Sequence, residues 1–77
     1  MDEWYELKKM AFDRCTITIY RSAWAMRKWM VEANYKDGQI PSQLVFENEG
    51  DAWRRFYDAA EIALKWDAEP WTREREK

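Results

Sequence analysis

The residues best suited to acid–base or metal chemistry are three carboxylates that alternate along the chain, Glu47, Glu49 and Asp51. Carboxylate oxygens are the ligands that hard cations such as Ca²⁺ prefer, but this array lacks the remaining ligands and the turn-glycine spacing of a calcium loop. Acidic residues also stabilise the positively polarised start of a helix. We therefore interpret the three carboxylates as the start of a helix and predict no metal site.

Other catalytic groups are scarce in this sequence. There is no histidine, and Cys15 is the only cysteine. This composition excludes catalysis by a histidine base, an internal disulfide and the usual zinc sites. Gly38 and Gly50 are the only glycines, so a glycine-rich phosphate loop is excluded as well. We predict a non-enzymatic chain that binds no cofactor and no small-molecule substrate, with Cys15 as a buried structural residue.

The composition indicates one small domain with more aromatic rings than its core needs. The 77 residues include six Trp, four Tyr and three Phe. A chain of this length forms a marginal core, and large aromatics help to fill it. Thirteen rings exceed what such a core hides, so we expect some of them in an interface, where Trp, Tyr and Arg carry much of the binding energy.

The charge and hydropathy patterns do not indicate nucleic acid or a membrane as a partner. The formal net charge is −2, so no strong positive field attracts nucleic acid. No signal peptide and no apolar run of membrane-spanning length is present. We expect a cytoplasmic protein without a membrane partner.

Residues 50–68 form the longest segment with one apolar period, and we predict an amphipathic helix there. Acidic residues precede the segment and Pro70 follows it, as is typical of helix ends. The stripe that we expect to face the core comprises Trp53, Phe56, Tyr57, Ala60, Ala63 and Leu64.

A second, narrower apolar strip lies on the same predicted helix, roughly 180° to 240° from Trp53 at 100° per residue. Its members are Arg55, Ala59, Ile62 and Trp66. A helix packed on one sheet needs only one apolar face. We expect this strip to be covered either by an N-terminal helix or the segment containing Pro70 and Trp71, or by a partner.

The remaining elements are predicted from local patterns. Residues 2–13 show a helical face, and residues 15–22 form a β-branched run typical of a strand. Residues 23–36 fit a strand from about Lys28 or a helix that begins at Ser22. The strand is preferred because its side chains alternate well and Asp37-Gly38 follows, a dipeptide that favours a hairpin turn.

Residues 43–47 give a third strand, and the predicted order is therefore α-β-β-β-α. We predict an α+β fold in which a long C-terminal helix packs on a three-stranded antiparallel meander. Residues 1–69 form the single compact domain, and residues 70–77 form a charged tail that we expect to be mobile.

This predicted order, with a final helix that begins at glycine and is rich in alanine, resembles the double-stranded-RNA-binding fold. The resemblance involves Gly50 followed by Arg54, Arg55, Ala59, Ala60, Ala63 and Leu64. It implies contacts to phosphates at the start of this helix. That family places lysines there, whereas this chain has Asp51, Ala52 and Trp53.

An alternative hypothesis is therefore a nucleic-acid-binding domain. Charged and aromatic residues alternate on or beside the first two strands, as on a stacking surface. The residues that would carry this function are Arg21, Arg27, Lys28 and Arg54.

The preferred hypothesis is a module that docks onto a protein partner. Compact, acidic, Trp-rich domains of this kind suit phage or mobile-element inhibitors that block a host protein, such as anti-CRISPR proteins. The partner would itself bind nucleic acid, because the acidic group would oppose its basic surface. The predicted contact residues are Arg55, Ala59, Ile62 and Trp66 together with Glu47, Glu49 and Asp51. A homodimer formed through the Ile62 and Trp66 strip is the third hypothesis.

Overall fold

The computed structural model describes residues 3–23 and 28–68, which form one antiparallel sheet and one helix. The elements in chain order are β1 Trp4–Ala11, β2 Cys15–Ser22, β3 Trp29–Tyr35, β4 Ser42–Phe46 and α1 Glu49–Ala68. The strands follow the order β1-β2-β3-β4 across the sheet. The predicted α+β class with a long C-terminal helix on an antiparallel meander is confirmed, and the meander has a fourth strand.

The predicted N-terminal helix is wrong, because this segment forms the edge strand β1. A β-bulge interrupts its pairing with β2, since Glu6 pairs with Tyr20 while Lys8 already pairs with Ile19. The extra residue, Leu7, shifts the alternation of side chains by one. Apolar residues thereby recur at intervals of three, which imitates a helical period. The resemblance to the double-stranded-RNA-binding topology required an N-terminal helix. It is therefore wrong, because this segment is a strand.

The preferred strand at residues 28–35 is confirmed, and the alternative helix from Ser22 is wrong. Paired residues of neighbouring antiparallel strands face the same side of the sheet. The side that faces α1 therefore carries Trp29, Val31, Ala33 and Tyr35 of β3, paired with Arg21, Ile19, Ile17 and Cys15 of β2. Met30 breaks the predicted alternation, because it is buried on the opposite face between Tyr20 and Val45.

The turn after β3 forms as its sequence predicts. Gly38 has a φ of 89°, a conformation that side chains rarely tolerate. The side chain of Asp37 accepts a hydrogen bond of 3.1 Å from the backbone N–H of Gln39. Asp37 and Gly38 thus direct the chain from β3 towards β4.

The helix packs on the sheet mainly through small side chains. Ala52, Phe56, Ala60 and Ala63 are buried, and Phe56 is fully enclosed. The predicted stripe is correct at Phe56, Ala60 and Ala63, which are buried. Trp53, also in the predicted stripe, is half-buried. The stripe is wrong at Tyr57 and Leu64, which are exposed. The buried face is rotated towards Ala52 because alanines allow the helix backbone to approach the sheet closely.

Asn48 caps the start of α1. Its side-chain Oδ1 accepts a hydrogen bond of 3.1 Å from the N–H of Asp51, and its backbone oxygen accepts one of 3.1 Å from Ala52. Glu49 and Asp51 lie in the first turn, where the helix dipole favours negative charge. The indole of Trp53 donates a hydrogen bond of 3.2 Å to Glu49. Glu49 and Asp51 therefore have a structural role at the start of the helix.

We expect Asn48→Ala to lower the free energy of unfolding by about 1 kcal/mol, since the N–H of Asp51 loses its capping acceptor. Urea unfolding followed by circular dichroism measures the change. The control is Asn34→Ala, because Asn34 is exposed on β3. Equal effects of the two variants would contradict the cap.

We expect substitutions of two neighbouring aromatic residues of α1 to differ strongly in their effect on the free energy of unfolding. Phe56→Ala removes a fully buried ring and should lower the free energy of unfolding by about 3–5 kcal/mol. Tyr57→Ala removes a ring that is 52% exposed and stacks on Trp53, and should cost about 1 kcal/mol. Thermal unfolding of both variants tests the direction in which the helix faces, and a larger loss for Tyr57→Ala would contradict it.

Candidate functional site

An open apolar groove lies between α1 and the end of the sheet where β4 begins. Its cavity has a volume of about 100 Å³. The helix contributes one wall, with Arg55, Ala59, Ile62 and Trp66, so the structure brings together all four residues of the predicted second strip. The rest of the lining is formed by Cys15, Ile17, Ala33, Tyr35, Ser42 and Ala63.

The strip is a flank of the buried face and not the back of the helix. At 100° per residue, Ala59 is about 60° from Phe56 around the helix axis. The angle predicted from the sequence was larger because it was measured from Trp53, which lies on the other flank. The strip therefore forms the rim of the helix–sheet contact, where an apolar side chain can be partly exposed without leaving the fold.

Ile62 is the exposed apolar residue of the groove. It is 61% exposed, and Arg55 beside it is exposed as well, whereas Ala59 and Trp66 are half-buried. The predicted cover by an N-terminal helix is wrong, since those residues form β1 at the edge of the sheet that is farthest from β4. The predicted cover by Pro70 and Trp71 falls outside the described residues. Within residues 3–23 and 28–68, Ile62 remains uncovered.

Trp66 joins the helix to the first hairpin and is held firmly. Its ring meets Tyr35 edge to face at 6.4 Å between centroids, and the guanidinium carbon of Arg14 lies 5.0 Å from the ring centroid. The next residue, Asp67, accepts a hydrogen bond of 3.0 Å from the N–H of Asp13. Trp66 is thus both a groove wall and a tie that stabilises the fold, so a substitution there would not isolate a role in binding.

A second pocket adjoins the groove on the other side of Trp66. Its volume is about 210 Å³, and it is lined by Asp13, Arg14, Lys36, Asp37 and Trp66. The backbone N–H of Lys36 donates a hydrogen bond of 3.0 Å to the carbonyl of Arg14, which ties the two turns together. Opposite charges balance in this pocket, so it attracts neither anions nor cations strongly.

Sequence analysis did not identify the groove residues outside the helix. Tyr35 carried a signal, since it belonged to the predicted face of β3. Ser42 carried none, because it lies beside a turn and reaches the groove only through the pairing of the strands.

The acidic part of the predicted partner site lies elsewhere. Asp51 is at the start of α1 and Trp66 near its end, a separation of about 22 Å at 1.5 Å per residue. Glu47, Glu49 and Asp51 are all exposed. Among the described residues, no group of three His, Cys, Asp or Glu side chains is placed to hold a metal ion. The predicted site is therefore divided between the two ends of the helix.

The residues of the alternative nucleic-acid site do not share a surface in the described part of the chain. Arg21 and Lys28 lie where β2 ends and β3 begins, and Ser22 donates a hydrogen bond of 2.8 Å to the carbonyl of Lys28. Arg54 lies about 160° around the helix from the buried Phe56 and points away from the sheet. Arg27 falls outside the described residues.

The face of the sheet opposite α1 carries a polar cluster that was not predicted. The hydroxyl of Tyr20 donates a hydrogen bond of 3.1 Å to Glu32, and the amide of Gln43 donates one of 2.8 Å to the same carboxylate. These contacts join β2, β3 and β4. They fix the strands that form the floor and open side of the groove.

Cys15 lies under the groove as a buried, protonated thiol. Burial raises its pKa above the usual 9.0, the carboxylate of Asp67 raises it further, and Lys36 lowers it in part. A thiol with a raised pKa is a poor nucleophile at neutral pH. The side chain is 2% exposed and belongs to the core, so its structural role is confirmed.

Comparisons of the chain with protein-family models, with curated proteins and with solved structures give no match. None of the described helical residues forms a segment with the length and hydropathy needed to cross a bilayer.

We expect the free energy of unfolding to decrease as the pH rises above about 9. The unfolded chain releases the Cys15 proton near 9.0, whereas the folded chain retains it to higher pH, so this stability is present below 9.0 and is lost as the pH rises through the folded value. Burial and the bond to Glu32 raise the pKa of Tyr20 above 10.0 in the same sense. Urea unfolding between about pH 7 and pH 11 measures the change.

Cys15→Ala should flatten the decline that begins near pH 9, and Tyr20→Phe the part above pH 10. The loss of stability at pH 7 gives the packing effect of each substitution, which is subtracted. Parallel declines in the wild type and both variants would contradict these assignments.

Proposed function

We propose that this chain is a non-enzymatic protein-binding domain whose contact surface is the groove between α1 and β4. The observation that supports it best is the position of Ile62, which is 61% exposed on the rim of an apolar groove. Exposed apolar residues beside a concave, preformed surface are typical of interaction sites.

The chemistry of the groove defines what a partner must present. The lining is aliphatic and aromatic except for Cys15, Ser42 and Arg55. A cavity of about 100 Å³ has room for one side chain of a partner. An apolar side chain suits the groove, and a carboxylate next to it would form a charge-assisted hydrogen bond with Arg55. Ile62 and Arg55 would be the main contributors to affinity, since they are the exposed residues of the helix wall of the groove.

The narrower form of the proposal is an inhibitor that blocks a nucleic-acid-binding host protein, of the phage or mobile-element type. The acidic group Glu47, Glu49 and Asp51 would then face a basic surface of that partner. This group is about 22 Å from Trp66 along α1. An interface of ordinary size, about 800 Å² on each partner, spans that distance. The helix would thus present an apolar anchor at one end and negative charge at the other.

The proposal is tested with Ile62→Arg and a matched control, Leu64→Arg. Both residues flank the buried Ala63, each about 100° away around α1, and they are 61% and 63% exposed. Wild-type and variant domains are immobilised and exposed to lysate of the source organism, and the retained proteins are quantified by mass spectrometry. A partner of the groove is retained by the wild type and by Leu64→Arg and is lost with Ile62→Arg.

The purified partner is then titrated with each variant by calorimetry at low and high salt. We expect Ile62→Arg to weaken binding at least about 30-fold, as for loss of a buried anchor worth about 2 kcal/mol. Labelled DNA and RNA are titrated in parallel. Equal binding by the two arginine variants would overturn the groove, and nucleic-acid binding that weakens steeply with salt would favour the alternative.

A further inference from the structure

We propose that the pocket on the far side of Trp66 from the groove binds a small zwitterion, a molecule of free-amino-acid size that carries one carboxylate and one ammonium group. Among the described residues, the pocket shares only Trp66 with the groove, and its other lining residues are Asp13, Arg14, Lys36 and Asp37. The zwitterion is proposed as a ligand and not as a substrate. This inference concerns a separate cavity and does not rest on the proposed function.

Three segments of the fold meet at this pocket and fix its walls. Asp13 and Arg14 belong to the turn between β1 and β2, Lys36 follows β3, and Trp66 lies near the end of α1. The backbone N–H of Lys36 donates a hydrogen bond of 3.0 Å to the carbonyl of Arg14, and that of Asp13 donates one of 3.0 Å to Asp67. The walls are therefore held in place without a ligand, and a preformed site loses little free energy to ordering when it binds.

The opposite charges of the pocket are held apart. Asp13, Lys36 and Asp37 are exposed, and none of them forms an ion pair with another described residue. The carboxylate of Asp37 is fixed in its turn, since Oδ1 accepts a hydrogen bond of 3.1 Å from the N–H of Gln39 and Oδ2 accepts one of 2.8 Å from the side-chain amide of the same residue. A carboxylate has about four acceptor positions, so Asp37 can accept further donors. A ligand that carries both charges would bridge groups that do not pair with each other.

Arg14 supplies the buried positive charge of the pocket and is 5% exposed. Its guanidinium carbon lies 5.0 Å from the centroid of the Trp66 ring, which restricts the position of the group. A guanidinium has five N–H donors in a planar fork that matches a carboxylate, so it can bind one in addition to its contacts within the chain. Hydrogen bonds between charged groups are about twice as strong as neutral ones. The carboxylate of the ligand is therefore assigned to Arg14 and Lys36, and its ammonium group to Asp13 and Asp37.

The charge balance and the volume of the pocket define the class of ligand. Two positive and two negative side chains line it, so a ligand with a single charge meets as much repulsion as attraction. Its volume is about 210 Å³, below the roughly 300–1,000 Å³ of pockets for drug-sized ligands. Trp66 adds a flat apolar wall, against which an aliphatic side chain would lie. An amino acid with a small apolar side chain, such as valine, meets these three requirements.

The first measurement is a titration of the isotope-labelled wild-type domain with free valine, followed by its amide and indole resonances in NMR spectra. We expect saturable shifts at Asp13, Lys36, Asp37 and the Trp66 indole, with a dissociation constant of about 1 mM or lower. A parallel titration with γ-aminobutyrate shows whether the site prefers a zwitterion with adjacent charges or one whose charges are farther apart. Absence of saturable shifts at the pocket with both zwitterions would overturn the inference and leave the proposed function intact.

Probes that lack one charge test whether both are needed. N-acetylvaline has no ammonium group and valinamide has no carboxylate, while both keep the side chain of valine. We expect each to bind at least about tenfold more weakly than valine, since one charge-assisted contact is lost and the repulsion from the like charges of the pocket remains. Equal binding of valine and either derivative would show that the site responds to one charge alone, and the zwitterion would be the wrong ligand.

Substitutions of exposed pocket residues test the assignment of each charge. Lys36→Gln removes a positive charge and Asp37→Asn a negative one, and the asparagine keeps an acceptor for the N–H of Gln39. Each should weaken valine binding by about tenfold, since one charge-assisted hydrogen bond is lost. The matched controls are Lys8→Gln on β1 and Asp58→Asn on α1, which are exposed outside the pocket and should bind valine like the wild type.

The same spectra report the fold of each variant, because amide resonances outside the pocket keep their positions when the fold is intact. Asp13→Asn keeps the test of the negative charge if Asp37→Asn disturbs its turn. Folded pocket variants that bind valine as tightly as the controls would overturn the assignment. An equal loss of binding in the pocket variants and the controls would overturn it as well, since the effect would then not come from the pocket.

Discussion

A single helix is too narrow to cover all four strands of the sheet, and it covers only the middle. The rest of the structure depends on this partial cover. A helix is about 10 Å wide, which corresponds to two strand spacings of about 4.8 Å. Phe56 and the alanines of α1 accordingly meet Ile17, Ile19 and Val31 of the two central strands. The outer strands receive less cover, so Leu7 on β1 and Leu44 on β4 are exposed on the two edges. The groove beside Ile62 lies between this helix and the end of the sheet where β4 begins.

The corner at the end of α1 compensates for this partial cover. Trp66 fills space that no strand residue reaches, and its contacts with Tyr35 and Arg14 connect the helix to β3 and to the first turn. The hydrogen bond from Asp13 to Asp67 adds a polar tie at the same place. Large aromatic side chains thereby help to cover the core of this short chain, whereas a larger domain uses additional helices or strands for this purpose. This also explains why a Trp-rich composition was ambiguous from the sequence, since the same ring serves the core and the groove.

The sequence was sufficient where a local pattern decides the structure. The cap at Asn48, the turn at Gly38 and the alternation of β3 all follow from side chains within a few residues of each other. It was insufficient at β1, where the bulge at Leu7 converts a two-residue period into a three-residue one. The sequence pattern also placed Tyr57 and Leu64 on the buried face of α1. An alanine such as Ala52 can face either the core or solvent, so the pattern did not show that the buried face is rotated towards Ala52; only tertiary packing decides this. The helical part of the groove was predicted, whereas Ser42 reaches it through strand pairing that no local pattern encodes.

The partial cover links the stability of the domain to its associations. A chain of 77 residues buries a smaller fraction of its surface than a larger domain, so its net stability is small. A partner at Ile62 would add apolar burial next to a core that already exists, and it would require little rearrangement of the chain. Each ligand that binds only the folded state raises the free energy of unfolding by RT ln(1 + [L]/Kd). Ile62 is largely exposed and contributes little burial to the isolated domain, so a partner that covered it would add stability. The groove left uncovered by the single helix is thus a place where a partner, if it binds there, would also stabilise the fold.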